Sequence, residues 1–123
     1  MSKYHSKKVE TEDGLFDSHR EKRRWYILKQ MEKDGEITEL RRQIPFELVP
    51  HQELDTPRKM KVKTKGAKPR TQRSETAVKY FADFTYMKNG KLVVEDSKGM
   101  KTPEYVIKRK LMKYVHGIEI VEV

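Results

Sequence analysis

The chain contains no cysteine, so disulfide bonds and thiolate metal sites are excluded, and a reducing compartment is compatible with the sequence. Its four histidines lie too far apart along the chain to indicate a zinc site: His5, His19, His51 and His116. No apolar run reaches the roughly 18 residues that a membrane-spanning helix needs, and the amino-terminal residues lack the apolar core of a secretory signal. We therefore expect a cytoplasmic protein with no membrane partner.

Acidic residues are scarce relative to basic ones, because 28 Lys and Arg residues outnumber 19 Asp and Glu residues and leave a net charge of +9. Such an excess favours an anionic partner, most often nucleic acid. The 123 residues suffice for one domain with one modest hydrophobic core, and 38% of them are charged. Flexible segments are therefore expected beside a compact core.

The positive charge is densest between residues 57 and 73, a segment that contains no acidic residue. Eight basic residues lie there: Arg58, Lys59, Lys61, Lys63, Lys65, Lys68, Arg70 and Arg73. Like-charge repulsion and the scarcity of apolar residues predict a flexible basic loop at about 55–75. In one interpretation this loop binds the phosphate backbone of nucleic acid, and in the other it is a solvated loop without a partner.

The clearest local signal in the chain is a β-hairpin. Asn89-Gly90 separates two apolar-rich runs, and both residues tolerate the positive φ angles of a type I′ turn. A two-residue loop at this point pairs residues whose numbers sum to 179, so Asp83 is expected to face Asp96. Lys98 lies two residues beyond Asp96 and therefore shares its face of the sheet.

Two carboxylates that face each other across a strand pair repel, because their Cβ atoms are only about 5 Å apart. A divalent cation held between Asp83 and Asp96 would remove this repulsion, and magnesium prefers oxygen ligands of this kind. On spacing alone, the alternative is a polar stripe on the solvent face of the hairpin.

A helix is predicted to begin after Ser18 and to end near Lys33, before Gly35. Ser18 and Glu21 have the spacing of a capping box, which makes Glu21 a helix cap in one interpretation. In the other, Glu21 is a third carboxylate directed at the sheet, because it lies at the start of the apolar face of this helix.

Arg20 and Arg24 belong to a basic run over the remaining faces of the same helix. Such a run is usually a solvated surface, and the alternative is a face that contacts phosphates. The sequence alone leaves both interpretations open.

A second helix is predicted from Thr102 as N-cap, with Pro103 at its first position, to about Val115. Its buried stripe is expected to consist of Ile107, Leu111, Tyr114 and Val115. Residues 44–49 and 118–123 alternate as strands, and residues 1–14 are expected to form a flexible tail. The order α-β-(basic loop)-β-β-α-β predicts one α+β domain over residues 15–123, with a small central mixed β-sheet flanked by helices.

This order of elements and acidic residues resembles the PD-(D/E)XK nuclease superfamily, whose fold is called restriction-endonuclease-like. The motif consists of Ala82-Asp83, Asp96-Ser97-Lys98 and the helix glutamate Glu21. Ala82 stands where the signature proline would be, as in many members of the superfamily. Residues 15–123 also resemble a family of small phage-encoded proteins of this superfamily and Holliday junction resolvase-like nucleases.

The resemblance implies a Mg²⁺-dependent DNA endonuclease, with Mn²⁺ as a substitute ion, that cleaves branched or junction DNA in phage replication or recombination. The implied metal ligands are Asp83, Asp96, the backbone carbonyl of Ser97, and Glu21. Lys98 would orient the attacking water or stabilise the developing charge. Members of the superfamily often act as homodimers, and a phage-encoded protein would act in the cytoplasm of the host cell. The competing hypothesis is a non-catalytic nucleic-acid-binding module or an accessory subunit.

Overall fold

The computed structural model describes residues 8–123 of the chain. Its elements, in chain order, are β1 (Val9–Thr11), β2 (Gly14–Phe16), α1 (His19–Lys33), β3 (Thr38–Val49), β4 (Gln52–Met60), β5 (Arg70–Glu75), β6 (Val78–Lys88), β7 (Lys91–Asp96), α2 (Pro103–His116) and β8 (Val121–Glu122). None of the helices in this part of the chain is long and apolar enough to cross a membrane.

The main sheet has four strands in the order β3-β6-β7-β8. Its first three strands are antiparallel, and β8 joins β7 in parallel, so the sheet is mixed. Strand β3 lies at the edge, where Pro45 is tolerated because the edge needs fewer backbone donors. Two further sheets of two strands each are formed by β1 with β2 and by β4 with β5. The predicted mixed α+β class with two helices is therefore confirmed.

Both helices begin and end where their capping residues predict. In α1, the Ser18 side chain accepts a hydrogen bond from the backbone of Glu21, and Gly35 follows the helix with a φ of 81°. In α2, Thr102 caps the first turn, and Gly117 ends the helix in the left-handed conformation.

The predicted hairpin register is confirmed from Lys88–Lys91 to Phe84–Glu95. Asn89 and Gly90 have φ angles of 52° and 76°, as a type I′ turn requires. Backbone pairing of β6 with β7 ends at Phe84–Glu95, one pair short of Asp83 and Asp96.

The hydrophobic core is divided into two clusters on opposite faces of the sheet. One contains Tyr80, Ala82 and Val94 with residues of α2, and the other contains Phe84, Tyr86 and the half-buried Val93 with residues of α1. Neighbours in β7 belong to different clusters, as the alternation of a strand requires. In β6, however, Ala82 and Phe84 are two residues apart and still belong to different clusters, so the alternation of this strand changes phase at Asp83.

Two segments predicted to be flexible contain strands. The expected tail over residues 1–14 includes strand β1 and the start of β2, while its residues 1–7 lie outside the described part of the chain. The expected loop at about 55–75 is instead a two-stranded ribbon of β4 and β5. Its backbone pairing needs no apolar side chains, so hydrophobic patterning carries no signal for it.

The predicted buried stripe of α2 is right for Leu111, which packs against the core, and wrong for Ile107, Tyr114 and Val115. Ile107 is 58% exposed and Tyr114 is 87% exposed, whereas Tyr105 and Met112 are buried. Residues 105 and 112 are two helical turns apart and therefore share one face, like residues 107 and 114. The helix sequence offers two stripes of equal spacing, and packing against Tyr80 and Ala82 selects the one with Tyr105.

Candidate active site

Asp83 lies where β6 changes face, and its side chain is largely buried. Its Oδ2 atom accepts a hydrogen bond of 2.9 Å from the backbone N–H of Ser97, the residue that follows β7. Its Oδ1 atom accepts a weaker bond of 3.4 Å from the side-chain amide of Gln43 in β3. Three segments of the sheet therefore meet at one carboxylate.

Asp96, the last residue of β7, is almost fully buried beside Asp83. Its Oδ2 atom accepts a short hydrogen bond of 2.5 Å from the hydroxyl of Tyr80. Its Oδ1 atom has no hydrogen-bond donor among residues 8–123. The Nζ atom of Lys98 lies 3.3 Å from this oxygen, within ion-pair distance but without the alignment of a hydrogen bond.

Asp83 and Asp96 repel each other electrostatically. Burial, followed by the charge of Asp96, raises the pKa of Asp83 to about 7, and the charge of Glu21 contributes in the same direction. The bond from Ser97 and the charge of Lys98 lower this pKa but do not offset the increase. A carboxyl group with such a pKa is a hallmark of sites that bind a cation or transfer a proton.

Glu21 serves the helix and the acidic cluster at the same time. Its Oε2 atom accepts a bond of 3.3 Å from the backbone N–H of Asp17, just before the helix. Its Oε1 atom accepts a bond of 3.3 Å from the side-chain amide of Gln43. Burial, followed by the charge of Asp17, raises the pKa of Glu21. Oε2 therefore contacts the backbone at the start of the helix, as expected of a helix cap. Oε1 contacts β3, as expected of a carboxylate directed at the sheet.

Gln43 connects the carboxylates of Glu21 and Asp83, because its Nε2 atom donates a hydrogen bond to each of them. Its backbone has a φ of 51°, which is rare for a residue other than glycine and concentrates at functional sites. It lies between the register pairs Arg42–Phe84 and Ile44–Ala82, beside the change of face in β6. Sequence reasoning missed Gln43, since nothing in the local pattern indicates a left-handed residue within a strand.

Lys98 lies at the margin of the cluster, and about a third of its side chain is exposed. Its Nζ atom is 4.8 Å from the ring centroid of Tyr105, a cation–π distance that fixes the side chain beside Asp96. The hydroxyl of Tyr105 donates to Glu122 of β8 at 3.0 Å. Helix α2 and strand β8 therefore support the position of this lysine.

Glu95 precedes Asp96 in the chain but belongs to a separate polar cluster. Arg24 donates two hydrogen bonds to it, of 2.8 Å and 2.7 Å, and the hydroxyl of Tyr86 donates a third. The carboxylate is 1% exposed and fully paired. Glu95 is therefore satisfied within the chain, whereas Asp96 is the residue that lies beside Asp83.

The basic residues predicted to contact nucleic acid lie in three places. Arg24 is engaged with Glu95, and Arg20 donates a bond of 2.9 Å to the backbone carbonyl of Val123. The remaining eight lie on or between β4 and β5, and all are exposed: Arg58, Lys59, Lys61, Lys63, Lys65, Lys68, Arg70 and Arg73. The ribbon is therefore the main basic surface of this set.

The donors of the cluster suit a hard divalent cation. Magnesium is commonly bound by one or two carboxylates together with water and substrate phosphate, and Asp83 and Asp96 supply such a pair with one free oxygen. Among residues 8–123, no three His, Cys, Asp or Glu side chains are grouped closely enough to hold a metal ion directly. The residues therefore fit a cation held by two carboxylates, with Glu21 connected to them through Gln43.

The comparisons with known proteins bear on the family but not on the activity. A family model described as a protein of unknown function (DUF1064) matches residues 1–120. The chain belongs to the DUF1064 family. A comparison with curated proteins finds no match, and a comparison with solved structures finds none either.

Proposed function

We propose that this protein is a metal-dependent DNA endonuclease that hydrolyses phosphodiester bonds. The observation that carries the proposal is the buried pair of Asp83 and Asp96. Within residues 8–123, Lys98 is the one cation within ion-pair distance of this pair, and one oxygen of Asp96 has no hydrogen-bond donor. Burying such a pair costs free energy, and a bound divalent ion would offset that cost.

The arrangement of elements supports a restriction-endonuclease-like fold for this site. Without the two-stranded ribbons, the chain runs α1-β3-β6-β7-α2-β8, the order expected from the resemblance to the PD-(D/E)XK superfamily. The acidic residues lie at the change of face in β6 and at the end of β7, and Glu21 reaches them from the helix that precedes the sheet.

In the proposed reaction, Asp83 and Asp96 would hold the cation, and Glu21 would contact it through water. A divalent ion at this position supplies Lewis acidity and lowers the pKa of water at neutral pH. Asp83, held by the backbone N–H of Ser97, keeps its carboxylate in a fixed orientation towards Asp96. The chain's contribution is thus a rigid, largely dehydrated pair of oxygen ligands.

Lys98 supplies the positive charge that the reaction needs at the phosphate. It lies at the exposed margin of the cluster, where a phosphate group can approach, and Tyr105 restricts its motion. Hydrolysis places added negative charge on the phosphoryl oxygens in the transition state, and a fixed ammonium group stabilises that charge. The same group can hold the attacking water in line by a hydrogen bond.

The test is a cleavage panel with linear duplex, single-stranded, flap and four-way junction DNA, each with Mg²⁺, with Mn²⁺ and with chelator. We expect metal-dependent cleavage by the wild-type protein and a loss of at least a thousandfold in Asp83→Asn. Asp34→Asn is the matched control, because Asp34 is an exposed aspartate at the far end of α1. It should cleave like the wild type.

Two outcomes would contradict the proposal. Cleavage that persists in a folded Asp83→Asn variant would assign the chemistry to other residues. Salt-dependent DNA binding without metal-stimulated cleavage of any substrate in the panel would favour the competing hypothesis of a non-catalytic nucleic-acid-binding module.

A further inference from the structure

Strands β4 and β5, with the turn between them, form a separate ribbon that we call the basic arm (residues 52–75). The strands are antiparallel, and the outer part of the arm is in regular register from Arg58–Gln72 to Met60–Arg70. The inner part contains a large bulge, because residues 54–57 lie opposite Arg73 alone. The arm is thus an ordered ribbon with an irregular base.

The basic arm contributes nothing to the hydrophobic core. Every residue from 50 to 79 is at least partly exposed to solvent, and residues 55–71 are all exposed. A two-stranded ribbon without a covering element is marginally stable in water. Its sequence is therefore not explained by packing, and a surface of this kind is suited to contact with another molecule.

The positive charge of the arm is left unbalanced towards its tip. Arg58, where the outer part of the arm begins, forms an ion pair of 2.6 Å with Glu75 at the base. The other seven basic residues of the arm make no ion pair within residues 8–123: Lys59, Lys61, Lys63, Lys65, Lys68, Arg70 and Arg73. Unbalanced Lys and Arg side chains along a narrow ribbon match the charge of a phosphate backbone.

The arm extends from strands β3 and β6, and β6 also carries Asp83 of the acidic cluster. It leaves the main sheet where β3 and β6 make their last pair, Val49–Val78. Asp83 is five residues from Val78, which corresponds to roughly 17 Å along the strand at about 3.3 Å per residue. The distance from the base of the arm to the cluster therefore equals the length of about five base pairs of B-form DNA, at about 3.4 Å per base pair.

We propose that the basic arm enters the major groove of double-stranded, B-form DNA beside the acidic cluster. The major groove is about 12 Å wide and admits a two-stranded ribbon, whereas the major groove of an A-form RNA duplex is too narrow for side chains to enter. A single strand has no groove to match the ribbon. That duplex DNA is the substrate rests on the proposed nuclease function. Binding of duplex DNA by the arm can be measured separately.

The first experiment measures binding without cleavage, by fluorescence anisotropy in an Asp83→Asn background with chelator. The arm variant carries Lys61→Gln, Lys63→Gln, Lys65→Gln and Lys68→Gln. The control removes the same charge from exposed sites elsewhere, with Lys33→Gln, Lys88→Gln, Lys91→Gln and Lys110→Gln. The probes are a 30-base-pair DNA duplex, the RNA duplex of the same sequence and one DNA strand alone.

We expect the arm variant to bind the DNA duplex more than about tenfold more weakly than the control near 0.1 M salt. The slope of log affinity against log salt should decrease by roughly 3–4, since each lost phosphate contact contributes about 0.9. Binding to the RNA duplex and to the single strand should change much less. Equal losses on all three probes, or equal losses in arm variant and control, would overturn the inference.

The second experiment locates the groove by dimethyl sulfate probing of the bound duplex. Guanine N7 lies in the major groove and adenine N3 in the minor groove. We expect the unmodified arm to protect guanine N7 positions and the arm variant to lose that protection. Protection of adenine N3 alone would place the arm in the minor groove and contradict the inference.

The nuclease proposal and the arm inference fail in distinguishable ways. If the protein binds duplex DNA through the arm but cleaves nothing with metal, the nuclease proposal fails and the arm inference stands. If metal-dependent cleavage is seen and the arm variant has an unchanged KM for duplex DNA, the arm inference fails alone. We expect the arm variant to raise KM while kcat at saturating duplex changes little, because the acidic cluster is intact.

Discussion

Glu95 and Asp96 are consecutive residues of one strand, and both are almost fully buried, yet their surroundings differ in kind. Glu95 receives two hydrogen bonds from Arg24 and one from Tyr86, so its charge is balanced and its oxygens are satisfied. Asp96 lies beside a second carboxylate, Asp83, and keeps an oxygen without a donor among residues 8–123. The carboxylate on one face of the strand therefore has all its partners within the chain, and the carboxylate on the other face does not.

The difference separates an ion pair whose charges are balanced within the chain from an acidic cluster whose charges are not. A buried carboxylate with a bidentate guanidinium partner is satisfied within the chain, and removing either partner is costly. Two buried carboxylates beside one partly exposed lysine are not satisfied. Burial, followed by the charge of Asp96, raises the pKa of Asp83. The two faces should therefore respond in opposite ways to substitution.

The largest expected difference in stability is between the two variants that each remove the cation of one cluster. Arg24→Met leaves Glu95 buried without its partner and should lower the free energy of unfolding by about 3–5 kcal/mol. Lys98→Met should cost less than about 1 kcal/mol, because Lys98 is partly exposed and makes no aligned hydrogen bond to Asp96. Urea denaturation at pH 7 measures both.

The effects of these two substitutions on cleavage should be reversed. Lys98→Met is expected to lower kcat by about a hundredfold or more, while folded Arg24→Met, measured at low temperature, should keep most of its activity. A large loss of stability in Lys98→Met with unchanged cleavage would mean that Lys98 is a structural cation for the acidic pair. The acidic cluster would then not differ in role from the Arg24–Glu95 ion pair.

The elements that the sequence predicted correctly are those whose signals are local. Ser18, Thr102 and Gly117 determine helix ends through capping, and Asn89-Gly90 determines the register of a whole hairpin through two φ angles. Because the register follows from the turn, the approach of Asp83 to Asp96 could be anticipated without a structure. The distinct environments of Glu95 and Asp96 could not, since they depend on Arg24 from a distant helix.

The features that the sequence missed depend on tertiary context. The strands of the basic arm pair through their backbones with few apolar side chains, so no periodicity marks them. In α2, two stripes have helical spacing, and only the packing of Tyr105 against Tyr80 distinguishes them. The role of Gln43 arises from a left-handed backbone inside a strand, which no local residue preference indicates.

The pH dependence of stability should differ between the two faces. The pKa of Asp83 is raised from 3.8 to about 7, so between these values the folded state keeps a proton that the unfolded chain releases. Stability should therefore fall as the pH rises from about 4 to about 7 and level off above it, by up to roughly 4 kcal/mol in chelator. Asp83→Asn should remove this decrease, which urea denaturation at pH 5 and pH 8 can measure.

Glu95→Gln provides the comparison for that measurement. Its carboxylate is paired with Arg24, so the substitution should lower stability at both pH values and leave the dependence on pH in place. An equal decrease with pH in Asp83→Asn and in the wild type would show that the acidic pair does not carry the repulsion inferred for it.

A divalent cation should stabilise the folded protein by binding at the Asp83–Asp96 pair. At pH 8 and a Mg²⁺ concentration about 100 times its dissociation constant, the gain in unfolding free energy should be about 2.7 kcal/mol. Asp83→Asn should lose this gain, while the Arg24–Glu95 cluster should be insensitive to the ion, so folded Arg24→Met should show the same gain as the wild type. Thermal melts with Mg²⁺ and with NaCl of equal ionic strength make the comparison. A gain of equal size in Asp83→Asn would place the cation elsewhere.

The smallest expected effect concerns Gln43, which joins Glu21 to the acidic pair from the exposed edge strand. Gln43→Ala removes the amide, and water replaces it in part, so the loss of stability should be about 1 kcal/mol. Gln43→Gly removes the same amide but relieves the left-handed backbone, and it should be about 1 kcal/mol more stable than Gln43→Ala. In both variants the pKa of Glu21, followed by NMR, should rise further, because the bond from Gln43 lowers it. If the two variants were equally stable, the strain assigned to this residue would be absent, whereas an unchanged pKa would mean that Gln43 does not hold Glu21 in solution.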